Sequence, residues 1–360
     1  MSTMLDIVQP PSILSPEPAV APELLSLSPA LLGQRLGGPN RGVNPWRLIR
    51  AGRSPFESGA LGTRELQRLE RVCRDTPVKV VRRSLAECCT RKLLLRMEDG
   101  LEVETVIIPG PERSTVCVSS QVGCIRGCEF CVTATMGLVR NLRAAEIVAQ
   151  AHFARQEALS EGMPPLRNIV FMGMGEPLDN FSEVRQSVEL LVDPRAMGFG
   201  QRYITVSTVG PSPRMIRQMK LLPARVAWSI HAVDEDLRRE LVPTTRASML
   251  ELREAFLEVM AAQGDTLFVE MTLMDGVNDS ASHAHALADF LSVFPPLVRI
   301  NLLPVNAGRP GMLPSSDERV EAFREILRGR GYFCMVRQAR GEKAMAACGQ
   351  LAVSTLERRA

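Results

Sequence analysis

The chain contains no run of about 18 uninterrupted apolar residues, so a membrane-spanning helix is not expected. Its start, Met1 to Pro11, holds one acid and no Lys or Arg, so a secretory signal, which begins with a basic stretch, is not expected either. Cysteines number nine, odd and irregularly spaced, which excludes the paired framework of small secreted domains. A reducing, cytoplasmic setting is expected, where clustered cysteines serve metal or redox chemistry. No internal repeat is visible. What the chain does have is 360 residues, 45% hydrophobic and 23% charged, an ordinary composition for a globular protein with a sizeable core in one large domain or two smaller ones.

The net charge of +3 hides an uneven distribution. Residues 1–30 carry −3, residues 31–100 carry +8 and the remainder carries −2. Residues 1–45 hold eight of the 25 prolines and are expected to form a flexible leader with a short helix near Pro22–Leu32. Residues 46–110 form the basic block's accessory domain. Its first part, to residue 85, carries helical signals, with Thr63 placed to cap a helix bearing Leu66, Leu69 and Val72. Leu93–Leu95 and Val103–Ile108 flank Asp99-Gly100 as a hairpin. The basic block has only Trp46 and Phe56 as aromatics, so base stacking is not advertised there, and it shows no known RNA-binding motif.

From residue 111 to 338 short apolar runs alternate with amphipathic segments. Strands are predicted at 115–119, 168–173, 203–208, 225–230, 267–273, 298–303 and 332–337. Helices are predicted at Ser182–Val192, Met249–Ala262, Ser282–Val293 and Ser316–Gly329. This alternation means parallel βαβ units, and six or seven of them fit an open or closed (β/α) barrel. The chemistry of such barrels lies at the C-terminal ends of the strands.

The first of these strands runs into Cys124, Cys128 and Cys131, at C-x3-C-x2-C spacing. Three thiolates on one loop bind a soft metal or an iron–sulfur cluster; structural zinc, which wants four ligands, is the alternative. On a four-iron cluster three cysteines leave one iron open, and the spacing resembles the radical S-adenosylmethionine superfamily. The second strand leads into Gly173-Met174-Gly175-Glu176-Pro177, where glycines admit a close ligand and Glu176 can accept from an ammonium group. It does not complete the dinucleotide G-x-G-x-x-G pattern and taken alone is an ordinary turn. In this context it resembles the segment that holds the amino group of S-adenosylmethionine. Ser207, His231 and Asn306 also stand at strand ends. His231 is either a buried core histidine or a ligand contact. Cys117 and Cys348, from physics alone, are small buried hydrophobes.

VETVIIP, CVSSQVGC, RNLRAAEIVAQ, FMGMGEPLDN, ITVSTVG, SIHA, NLLPVN and AACGQLA occur in collinear order over about residues 91–355. Together they resemble the RlmN/Cfr family of radical S-adenosylmethionine RNA methyltransferases. The resemblance implies an α/β fold, a partial (β/α)6-type radical S-adenosylmethionine barrel at 111–338. A small basic N-terminal domain would dock RNA, and a C-terminal segment, 339–360, would carry a methyl-bearing cysteine. It implies that Cys124, Cys128 and Cys131 hold a [4Fe–4S] cluster. Gly175, Glu176, Ser207, Ile230, His231, Ala232 and Asn306 would contact S-adenosylmethionine. Cys348 would carry the methyl group, Cys117 would resolve the RNA adduct through a disulfide bond, and Glu104 would accept a proton. C2 and C8 of adenine are electrophilic and resist polar methyl transfer, so the implied route splits the reaction through a covalent protein–RNA intermediate. The implied substrate is an adenosine of 23S rRNA, at C2 in preference to C8, with tRNA also modified by some members. A flavodoxin or ferredoxin would supply electrons, and a monomer is the starting expectation. Cys73, Cys88, Cys89 and Cys334 are expected to be structural.

The likeness is weak over the first 90 residues. Val132–Gly137 and Ala307–Gly311 also depart from the family pattern. Two alternatives follow: a radical methylase of a peptide or small molecule with the same two cysteines, and a non-catalytic zinc or RNA-binding protein.

Overall fold

Residues 21–86, 88–306, 311–337 and 349–351 are described by the structure, a computed structural model. Three helices, α1 (Pro29–Arg35), α2 (Val43–Arg50) and α3 (Thr63–Val72), lead into β1 (Lys79–Leu85), β2 (Arg91–Arg96), β3 (Glu102–Pro109) and β4 (Ser114–Cys117). These four strands pair antiparallel in sequence order, and β2–β3 is the hairpin expected around Asp99-Gly100. A separate two-stranded ribbon, β5 (Gln121–Gly123) with β6 (Leu138–Asn141), brackets the cysteine loop.

From β4 onward every pairing is parallel: β7 (Leu166–Phe171), β8 (Ile204–Thr208), β9 (Arg225–Ser229), β10 (Leu267–Leu273), β11 (Val298–Pro304) and β12 (Phe333–Val336) follow one another across the sheet. The predicted runs thus become strands, β4 included. The crossovers are α4 (Ala144–Ser160), α5 (Phe181–Val192), α6 (Pro213–Gln218), α7 (Glu235–Leu241) with α8 (Met249–Gln263), α9 (Ala281–Leu291) and α10 (Asp317–Gly329). A doubly wound sheet needs a reversal in strand order, and this one has none. With right-handed crossovers, an unreversed order puts every helix on the same face and leaves the other face concave, as in a partial barrel. The helices start at local signals: Ser248, Ser280 and Ser316 accept from backbone N–H groups at the starts of α8, α9 and α10, and Gly264 ends α8 in the left-handed conformation.

The N-terminal region differs from expectation. Residues 21–45 are not a loose leader: Leu24 and Leu32 are fully buried, and so is Trp46, whose Nε1 donates to Leu27 O at 3.0 Å. This segment covers the outer side of α4, where His152 Nδ1 meets Ile49 O at 3.1 Å and Gln156 donates to Gly52 O at 2.7 Å. Packed between barrel and N-terminal helices, α4 is buried on nearly all sides. Thr63 is the first helical residue of α3, after Gly62, and makes no cap. Residues 79–85 form β1, an edge strand whose exposed Lys79, Arg82 and Arg83 discourage further pairing. The expected domain boundary near residue 110 falls inside one continuous sheet, because β3 pairs directly with β4.

Replacing Trp46 with Ala should lower stability by about 3–5 kcal/mol, the cost of a cavity in a packed core. Chemical denaturation of the full chain reads this directly; a loss under about 1 kcal/mol would return the segment to the status of a leader.

Candidate active site

Side chains that alternate along the parallel strands face the concave side. Thr115 and Cys117, Asn168 and Val170, Thr205, Glu270, and Asn301 and Leu303 line a cavity of about 970 Å³. A smaller pocket of about 160 Å³ lies against it, and Met172, Glu270, Leu303, Asn306 and Leu351 line both. The smaller pocket gathers Cys124, Cys128, Cys131, Gly175, Glu176, Ser207, His231 and Asn306, which come from four strand ends and the cysteine loop.

That loop is pinned to the turn that follows β7. Ser120 N and Gln121 N both donate to Met174 O (2.8 and 3.2 Å), and Met174 N donates back to Ser119 Oγ at 2.9 Å. Gln121 Oε1 accepts from Glu176 N at 2.9 Å. Gly175 has φ +97°, and a Cβ there would lie 2.6 Å from Gln121 Cβ, so only glycine permits this approach. Behind the turn, the fully buried Gln150 of α4 accepts from Ser119 N (2.7 Å) and Thr105 Oγ1 (2.8 Å) and donates to Ser119 O (2.9 Å). Gly123, just before the first ligand candidate, has φ +78°; a Cβ would fall 1.8 Å from Gly137 O, which accepts from Cys124 N at 2.8 Å. Arg126, inside the loop, pairs with Asp179 just beyond Glu176. Sequence reasoning missed Gln121, Arg126, Gln150 and Asp179, whose partners lie far away in the chain.

Burial pushes the Cys124 thiol up to about 12, and Cys128 higher still, with each thiol also raised by its cysteine neighbours. Cys124 and Cys128 are therefore neutral thiols in the bare loop, and loading a metal group must release their protons. Among the described residues no three His, Cys, Asp or Glu side chains are gathered as a single-ion site. The thiols instead ring a pocket, a donor set that suits a group larger than one ion. Here Cys124, Cys128 and Cys131 would hold a four-iron cluster and Glu176 would receive an ammonium group.

Glu176 is 4% exposed. Its Oε1 accepts from Leu178 N and its Oε2 from Val209 N, each at 3.0 Å, and the Thr208 side chain also hydrogen-bonds the carboxylate. Burial raises its pKa to about 7 against the pull of these hydrogen bonds. His231 lines the pocket with φ +57°, rare for a non-glycine residue. Its Nδ1 accepts from Thr272 N at 3.2 Å, and Phe130 packs on its ring with centroids 4.4 Å apart. Burial, reinforced by Arg238, holds its pKa well below the usual value, so the ring is neutral with its proton on Nε2. Ser207 Oγ and Ser229 Oγ stand 3.0 Å apart, and both residues line the pocket.

Three expected residues are not brought into the pocket wall. Ile230 is buried in the main core, and Ala232 packs in a small apolar cluster with Cys128, on either side of His231. Glu104 is 1% exposed on β3 and lines neither cavity. Its carboxylate is held by Lys92 Nζ at 2.8 Å. Cys348 lies outside the described residues, as does the expected cysteine-bearing segment 339–360 apart from 349–351. The residues just after it are anchored at the cysteine loop: Val132 N donates to Gly349 O at 2.7 Å, and Thr133 Oγ1 to Leu351 O at 2.5 Å. Cys117 is 6% exposed and lines the larger cavity. No disulfide joins two described cysteines.

A parallel partial barrel with three cysteines on the loop after its first strand defines a radical S-adenosylmethionine protein. Residues 118–288 match the model of the Radical SAM superfamily, whose members use a [4Fe–4S] cluster and S-adenosylmethionine. The chain is 43% identical to a probable RNA methyltransferase of Sorangium cellulosum, over 76% of this chain and 69% of that protein. It is 44% identical to a protein of Magnetococcus marinus named dual-specificity RNA methyltransferase RlmN, over 73% of each chain. A solved radical SAM methyltransferase from Sphaerobacter thermophilus superposes with a TM-score of 0.84 at 38% identity, covering 92% of this chain and 99% of that one. The chain belongs to the RlmN family of radical S-adenosylmethionine RNA methyltransferases.

Pairing with an ammonium group requires ionised Glu176. A pKa near 7 in the metal-free protein means that affinity for S-adenosylmethionine is lost as the carboxylate protonates below neutral pH. It should fall roughly tenfold per unit as pH drops below the pKa. Anaerobic equilibrium dialysis of cluster-loaded protein measures this; Glu176→Gln should bind weakly with a flat profile. A flat wild-type profile from pH 5.5 to 8 would remove Glu176 from the ammonium contact.

Proposed function

We propose that this protein transfers a methyl group to C2 of an adenosine in large-subunit ribosomal RNA, with tRNA as a second substrate class, through a methylated Cys348. The observation that carries this reading is the convergence of Cys117 and the Gly349–Leu351 segment on the walls of the cysteine-ringed pocket and its adjoining cavity. The resemblance to the RlmN type favours C2 over C8 and rRNA with tRNA, and relatives named dual-specificity RNA methyltransferase RlmN support RNA as the substrate.

When bound, the cluster and S-adenosylmethionine supply the methyl group and the hydrogen-abstracting power. The chain's own residues do the rest. Cys124, Cys128 and Cys131 fix the cluster. Glu176, Ser207, His231 and Asn306 orient the cofactor from four strand ends, and the close Gly175 turn lets backbone approach it. Apolar Met172 and Leu303, at the junction of the two cavities, keep water and stray hydrogen donors from the reacting carbon. Cys348 carries the one-carbon unit as a thioether; once a hydrogen atom has been removed from it, the unit bonds to the ring carbon, which loses its hydrogen as a proton, and the one electron left over would be taken up by the cluster held by Cys124, Cys128 and Cys131. Cys117 then attacks the Cys348 sulfur: an S–S bond forms as the S–C bond breaks, and the released carbon takes up a proton to become the methyl group. With Glu104 held by Lys92 and outside both cavities, Glu270 at their junction is better placed than Glu104 to meet the ring.

The basic N-terminal module is the RNA-docking part of this proposal. Much of its charge is committed inside the fold: Arg74 to Glu23 and Glu98, Arg83 and Arg91 to Glu157, Arg96 to Glu102. On α3, however, Arg64, Arg68 and Arg71 stand exposed at i, i+4 and i+7 along one stripe. Stripes of this kind contact phosphates.

Nucleoside mass spectrometry of rRNA and tRNA from cells with and without the gene should show 2-methyladenosine lost from the deletion strain; unchanged methyladenosines would favour a peptide or small-molecule substrate. A Cys117→Ala variant should accumulate a covalent RNA adduct, and normal turnover by it would refute the resolving role. Changing Arg64, Arg68 and Arg71 together to Gln should weaken RNA binding uniformly and flatten the slope of log affinity against log salt by about 2. An unchanged slope would move the docking surface elsewhere.

A further inference from the structure

Behind the cysteine loop lies a cation that no part of the reading above uses. Arg238 stands on α7 with its side chain turned inward, 3% exposed. Its Nη2 donates to Val209 O at 2.6 Å and Ser229 O at 3.3 Å. Its Nε and Nη1 are buried and meet no acceptor among the described residues. The acids of its own helix and its cap do not pair with it: Asp234 accepts from Leu237 N, Glu235 holds Met249 N and Arg239, Asp236 pairs with Arg239, and Glu240 is exposed. A buried guanidinium with two idle donors and no ion-pair partner among the described residues is strongly destabilising, so its retention asks for an anion.

The anion is placed by the packing. The end of α7 is docked on the cysteine loop: Leu241 and Val242 pack with Cys128, Leu241 O accepts from Glu129 N at 3.1 Å, and Thr244 Oγ1 donates to Arg126 O at 2.9 Å. Arg238 lies one turn back on that helix. Its two acceptors, the Val209 and Ser229 carbonyls, belong to residues that line the cysteine-ringed pocket together with Cys128 and Glu176.

We propose that Arg238 is a positioning residue of the iron–sulfur site, a fixed counter-charge that serves the Cys128 side of the cluster with its idle N–H groups. This rests on the assignment of Cys124, Cys128 and Cys131 as the cluster's ligands. Three thiolates make the loaded site anionic, and one-electron reduction adds a further negative charge. A buried cation stabilises the reduced form more than the oxidised one, so Arg238 raises the reduction potential and eases reduction by an external one-electron donor. The same counter-charge stabilises the anionic loaded site, and so favours cluster assembly.

The test uses the full chain reconstituted anaerobically with iron and sulfide, as wild type, Arg238→Met and Arg238→Lys. Iron content, a dye-mediated redox titration followed by electron paramagnetic resonance, and thermal unfolding of the metal-free proteins are measured. Arg238→Met should fold at least as stably without metal, load less cluster, and titrate at a more negative potential. Arg238→Lys, which keeps the charge, should recover most of both. A wild-type potential in Arg238→Met, or equal shifts in Met and Lys variants, would overturn the proposal and leave Arg238 a brace for the Val209 and Ser229 carbonyls. If Met loads no cluster, a loaded Lys variant supports the proposal, and an unloaded but folded Lys variant refutes it. A wild-type protein that binds no cluster would fail the cysteine assignment first, separating the two claims.

Discussion

The site depends on one clasp: the backbone of Ser119–Gln121, at the end of the first parallel strand, is hydrogen-bonded to the Met174–Glu176 turn at the end of the second. The clasp sets the cysteine loop and the carboxylate of Glu176 at fixed separation, because backbone groups and the buried Ser119 and Gln121 side chains lock it and neither side can slide without breaking a buried hydrogen bond. Gln150 holds it from behind and Gly175 makes it sterically possible. Everything further out, from the Arg126–Asp179 pair to the β5–β6 ribbon, keeps this junction closed.

The same constraint explains the electrostatics. A site that must hold thiolates, a carboxylate and a charged cofactor is built almost dry, so burial lifts the acids toward their neutral forms and drives His231 to the neutral state. The bare chain thus stores a cost that its cofactors relieve. The net charge of +3, uninformative as a total, divides accordingly: a near-neutral barrel where chemistry is built from buried, paired charges, and a basic module where exposed arginines remain available.

The barrel was legible because buried parallel strands are apolar, β-branched runs such as Ile204–Thr208, and the helices between them begin at serines in capping positions. The cysteines, Gly175, Glu176, Ser207, His231 and Asn306 were legible because strand ends are where such barrels keep their chemistry. Other features were not. β1 is rich in arginine and reads as a basic surface until its pairing with β2 is seen, and β5 and β6 are too short to signal themselves. Residues 21–45 have a leader's composition, yet their leucines find a partner in α4. Gln121, Gln150 and Arg238 are single polar residues whose meaning arises only from long-range contacts. Glu104 came from resemblance alone, and its ion pair with Lys92 is a fact of the β2–β3 hairpin that no motif carries.

The account's central claim is that the segment anchored at Gly349–Leu351 delivers Cys348 to the cysteine-ringed pocket as methyl carrier. Peptide mass spectrometry of protein incubated anaerobically with methyl-labelled S-adenosylmethionine, without RNA, tests it most directly. The account predicts the label on Cys348; label on a different residue, or a fully loaded protein with no labelled peptide, would contradict it.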